Sequence, residues 1–63
     1  MIEQTTNALK HGTVILAGGI QYRVEYGLDN WLYLVRQSDN AIVARARGQN
    51  DLRWEIEKIE RRA

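Results

Sequence analysis

Trp31, Tyr33, Arg45 and Arg47 stand out for what their types and spacing could do together. Each pair is two residues apart, so on extended chain each projects from one face of a strand. Rings beside guanidiniums form cation–π contacts, each contributing about 0.5–1 kcal/mol when exposed. The same combination dominates the hot spots of protein interfaces and recurs in platforms for single-stranded nucleic acid. Its chemistry is recognition. A plain structural reading stands beside this one, in which arginine stems merely cover the rings of a sheet surface.

Bond-making chemistry lacks its usual parts. The chain has no cysteine and one histidine, His11, so zinc and iron–sulfur sites lack their common ligands. The acidic residues are scattered singly, and no pair holds the spacing of a glycosidase. Ser38 lies in a turn rather than in a nucleophile elbow. Gly18-Gly19 lacks the third glycine and the Lys-Ser/Thr of a phosphate loop, and a strand follows it. We expect no enzyme, no metal and no cofactor.

Composition narrows the class further. Sixty-three residues make one domain, of a size that buries only about 60% of its unfolded surface. Without disulfides it must rely on well-packed elements or on a partner subunit. Nine basic residues against eight acidic ones give a net charge of +1, which excludes an acidic mimic of DNA and supplies no broad steering field. No apolar run approaches the roughly 20 residues of a membrane span, and no export signal opens the chain. The expectation is a soluble cytoplasmic protein with no membrane partner.

The elements that must hold the aromatic and arginine residues follow from pattern. Trp31–Val35 and Ala41–Arg47 are β-rich runs around the turn-forming Ser38-Asp39-Asn40. A three-residue loop over Ser38–Asn40 sets Leu34 opposite Ala44 and Leu32 opposite Ala46. It also pairs Trp31 with Arg47, Tyr33 with Arg45 and Val35 with Val43. A two-residue loop would mix core and solvent residues on both faces, so the pattern selects the odd loop, with Asn40 or Asp39 left-handed.

Upstream, Gly18-Gly19 between Thr13–Ala17 and Ile20–Tyr26 is the signal of a tight hairpin, pairing Ile15 with Tyr22 and Thr13 with Val24. Ile20, Tyr22, Val24 and Tyr26 should then face the core. The turn over Gly27–Asn30 leaves two registers open. A four-residue loop puts Tyr22, Val24 and Tyr26 on the Trp31 and Tyr33 face; a three- or five-residue loop puts them with Leu32 and Leu34. Residues 31–35 are apolar on both sides, which suits a strand covered on both faces.

Asn50 is read as the cap of a C-terminal helix whose stripe is Leu52, Ile56, Ile59 and Ala63. Trp54 lies about 200° from Leu52, on the side of Lys58 and Arg61. It is either laid over the sheet edge or offered to a partner. At the other end, Ile2–His11 carries helix-termination signals before Gly12, so a short helix is favoured there, with His11 satisfying carbonyls at its end.

The fold class expected is α+β: a four-stranded antiparallel β-meander with a C-terminal helix packed on one face. One helix cannot cover both faces, leaving the Trp31 face for the N-terminal segment, a second copy or another protein. The functional expectation is a small non-enzymatic protein that binds, and inhibits or regulates, a larger protein partner, and that self-associates as a homo-oligomer. Trp31, Tyr33, Arg45, Arg47, Trp54, Lys58 and Arg61 are its candidate partner-binding residues. A free-standing chain of this kind would suit an inhibitor of the phage or mobile-element type, although no motif carries that. The alternative is a small nucleic-acid-binding regulator using the aromatic and arginine surface. Interleaved acidic residues on the helix, and the lack of any known nucleic-acid-binding signature, weigh against it.

Overall fold

The computed structural model describes residues 9–62. Four strands, β1 (Val14–Ala17), β2 (Ile20–Tyr26), β3 (Leu32–Arg36) and β4 (Ile42–Ala46), pair as antiparallel neighbours in chain order. One helix, α1 (Gln49–Arg62), packs on one face of that sheet. This is the expected α+β meander with its C-terminal helix.

Each connection is set by local chemistry. Gly18 and Gly19 both take positive φ, 58° and 82°, the pair of left-handed residues that a two-residue hairpin turn needs. Ile15 consequently lies opposite Tyr22, and the Val24 amide donates to the Thr13 carbonyl, as expected. At the second turn Asn30 is left-handed (φ 70°), and its amide donates to the Gly27 carbonyl. The Trp31 amide donates to Asp29 Oδ1. That closes an odd-length turn and resolves the open register: Val24 faces Leu34 and Tyr26 faces Leu32.

The third hairpin reaches the expected register by another route. Leu32 pairs with Ala46, Tyr33 with Arg45 and Leu34 with Ala44, but Val35 pairs with Ile42 instead of Val43. The loop is not the three-residue one. The Arg36 amide donates to the Ala41 carbonyl and the Asn40 amide to the Arg36 carbonyl, leaving the four residues 37–40 between the closing pair. Asn40 is left-handed (φ 60°). A β-bulge then leaves Val43 without a partner, and this extra residue cancels the extra residue of the loop. The hydrophobic pattern dictated the pairing of residues 32–34, while the turn obeyed its own preference.

Beneath the helix, Ala17, Tyr22, Val24, Leu32, Leu34, Ala46 and Leu52 form the buried core, with Leu9, Ile15, Ala44, Ile56 and Ile59 packed around it. Leu34, Leu52 and Val24 have no side-chain surface left to solvent. Of the four residues expected inward from β2, Tyr22 and Val24 are buried, whereas Ile20 and Tyr26 at the strand ends are exposed. The helix stripe holds for Leu52, Ile56 and Ile59; Ala63 lies outside the described residues.

Two boundaries differ from the sequence reading. The helix begins at Gln49, and its first turn closes from the Leu52 amide to the Gly48 carbonyl, so Gly48 rather than Asn50 caps it. Gln49 is thereby freed to clasp the incoming chain: its Oε1 accepts from the Leu9 amide at 2.6 Å and its Nε2 donates to the Leu9 carbonyl at 3.2 Å. The expected helix over Ile2–His11 falls mostly outside the described residues, and Leu9, Lys10 and His11 are not helical. Among the described residues His11 bonds to the sheet. Its Nδ1 accepts the Tyr26 amide at 3.1 Å, replacing a carbonyl where the chain turns away from β2 at Gly12 (φ 89°).

Candidate functional site

Register fixes which side chains share the face away from the helix. Across β1 to β4 it runs Val14, Arg23, Val35 and Ile42 in one row, with Glu25, Tyr33 and Arg45 in the next. Trp31 stands just before β3. No described element covers this face. Leu16 (65% exposed), Ile42 (63%) and Val14 stand open to solvent on it. Val35, in the middle, is nevertheless only 5% exposed.

Arg23 accounts for Val35. It lies directly opposite on β2, and each nitrogen of its guanidinium is engaged: Nε donates to Glu25, one terminal nitrogen to Gln37 Oε1 at 2.7 Å, the other to Asn40 Oδ1 at 2.9 Å. To reach the 37–40 loop its aliphatic stem must cross the Val35 position, so the stem is the apolar cover. The Arg23 guanidinium holds the Glu25 carboxyl below its ordinary range.

The other end of the face is built differently. The guanidinium carbons of Arg45 and Arg47 lie 4.5 and 4.9 Å from the Trp31 ring centroid, so both arginines stack on one indole. Beside them the Tyr33 hydroxyl donates to Asp29 Oδ2 at 2.6 Å. That hydrogen bond, with the Trp31 amide as a second donor, lowers the Asp29 pKa; it also raises that of Tyr33. Gly27 makes the geometry possible. A Cβ there would stand 2.6 Å from the Tyr33 ring and 2.5 Å from Asp29 Oδ1, so any larger residue displaces the ring.

Trp31, Tyr33, Arg45 and Arg47 are therefore brought together, as their spacing implied. Trp54, Lys58 and Arg61 form a separate group on the outer side of α1. Trp54 is 54% exposed with the Arg61 guanidinium 5.2 Å from its ring centroid, and Lys58 and Arg61 pair with Glu55 and Glu57. Leu52, Ile56 and Ile59 turn the opposite side of the helix toward the sheet, so the two groups lie on opposite sides of the domain. The seven candidates do not make one surface.

Three contributors escaped the sequence reading. Arg23 could be placed only once the second turn was settled. Asp29 reads as a turn residue, and nothing in the sequence announces its bond to Tyr33. Leu28 is fully exposed at the tip of that turn. Among the described residues no group of three or more acidic or histidine side chains is placed to hold a metal ion, and no helix is long and apolar enough to cross a membrane. Comparison with protein-family models, curated proteins and solved structures returns no match.

Proposed function

We propose that this protein is a non-enzymatic interaction module that binds a larger protein partner, inhibiting or regulating it, through the sheet face opposite α1. The observation that carries the reading is the composition of that uncovered face. Exposed Leu16, Ile42 and Val14 share this face with Trp31, Tyr33, Arg45 and Arg47, the mixture of apolar, aromatic and arginine side chains that marks the centre of protein interfaces. The helix-side group contributes less to this reading, because Lys58 and Arg61 already have acidic neighbours one turn away.

Self-association belongs to the same proposal. β1 is an edge strand without charge, proline or bulge, which is the kind of edge that pairs with another copy. Because Thr13 and Ile15 pair toward β2, the backbone groups of Val14 and Leu16 point outward. Sedimentation over a concentration series should show a dimer; a monomer persisting at hundreds of micromolar ends that part.

The partner reading is tested by capture from the native host with nuclease present. Leu16→Glu together with Ile42→Glu should abolish capture of the partner, while Trp54→Ala should leave it within about twofold. Capture that survives the first pair but fails with Trp54→Ala would move the binding surface to the helix.

A further inference from the structure

We infer that Arg45 and Arg47, stacked on Trp31, form a clamp for carboxylates on the surface of an acidic protein partner. This deepens the proposed function and rests on the open face being a protein-binding surface.

Among the described residues, the chain pairs most of its other cations around the sheet and helix. Arg23 meets Glu25, Arg36 meets Asp39 through two hydrogen bonds, Lys58 meets Glu55 and Arg61 meets Glu57. Neither Arg45 nor Arg47 has a close ion pair among the described residues, although Arg45 also feels the Asp29 carboxylate and the Tyr33 hydroxyl, and both guanidiniums lie over the same ring. Lying over a ring uses the flat face of a guanidinium; Arg47 keeps its N–H edge and Arg45 part of its own, and that edge is a planar fork matched to the two oxygens of a carboxylate. Holding two long side chains against the ring reduces the rotamer entropy still to be lost when a ligand arrives, one of the costs of forming such a contact.

Protein carboxylates fit better than phosphates of a nucleic acid. The Trp31 ring already carries two guanidiniums, so it offers little open surface for a base to stack on. Exposed Ile42 and Leu16 call for apolar surface, which a phosphodiester strand does not supply. A partner patch bearing a few carboxylates beside aliphatic groups complements all of these at once.

The test selects binders from a random 12-residue peptide library on the immobilised full chain. Peptides that bind the wild type and are lost with Leu16→Glu should be enriched in Asp and Glu. Arg45→Gln with Arg47→Gln should weaken them at least tenfold, with an unchanged amide spectrum showing that the variant still folds. Arg62→Gln, a change at an exposed cation elsewhere, should not weaken them. Binders that Leu16→Glu removes but that show no acidic enrichment, or that ignore the double substitution, overturn the clamp and leave the open face standing. If no selected peptide is sensitive to Leu16→Glu, both readings fall. A 12-mer of oligothymidylate that binds more tightly than the selected peptides, with loss in the double variant, overturns the clamp in favour of a nucleic-acid surface.

Discussion

Arg23 and Arg47 project from the same face of the same sheet, yet they do opposite things. Arg23 bonds through all three of its nitrogens inside the molecule and lays its stem over Val35, tying β2 to the third turn. Arg47 has only a tryptophan ring beneath it and keeps its donors. Residue type does not separate the two. What separates them is whether acceptors stand within reach, and register decides that: Gln37 and Asn40 come to Arg23 because β3 and its turn are placed as they are. A similar contrast runs through the sheet, one face sealed by α1 and the other left with exposed aliphatic side chains.

The widest gap should appear between the two faces. Leu52→Ala removes a fully buried side chain and should cost about 2–5 kcal/mol, read from denaturant unfolding. Leu16→Ala on the open face should stay within about 0.5 kcal/mol. Equal losses would mean that the open face is covered in solution. A smaller gap is expected between the arginines. Arg23→Ala breaks three partly solvated side-chain bonds and uncovers Val35, for a loss of about 1 kcal/mol. Arg47→Ala forfeits one exposed cation–π contact, about 0.5 kcal/mol. Reversal of that order would make Arg47 the structural residue.

The smallest effect is electrostatic. Glu25, Asp29 and Asp39 are held below the ordinary carboxylate range by Arg23, Tyr33 and Arg36 respectively. Their folded pKa values are depressed, so their contribution is present above the ordinary range near 4 and is lost as pH falls through the folded values. The thermal midpoint should therefore be flat from neutrality to about pH 5 and decline below about pH 4. Tyr33 runs the other way: its pKa is raised, so its contribution is present below the ordinary value near 10 and lost at higher pH. Asp29→Ala should shrink the acid decline and bring the Tyr33 titration, followed by NMR, down toward that ordinary value. An unmoved Tyr33 midpoint would exclude the bond to Asp29.

Much of this fold was legible because its signals were local or doubly determined. Gly18-Gly19 demanded left-handed backbone, and Leu32 and Leu34 needed small partners, which Ala44 and Ala46 provide. The second turn was illegible because residues 31–35 are apolar on both sides, so either parity of loop gave a credible core. The Tyr33–Asp29 bond and the contact with Gly27 select one, and both depend on three-dimensional placement. The bulge was hidden for a related reason: an even loop with one skipped residue produces the same downstream pairing as an odd loop. Of the candidate site, the Trp31 cluster followed from strand alternation alone. Its separation from Trp54 required knowing which side of the sheet the helix chose.

The unpaired Val43 has a consequence for how this chain can change. Deleting Val43 removes the bulge yet leaves Arg36 closing on Ala41, Val35 opposite Ile42 and Leu34 opposite Ala44. The strand beyond it keeps Ala44 and Ala46 inward and Arg45 outward, so the loss of this one residue should be tolerated by the hairpin.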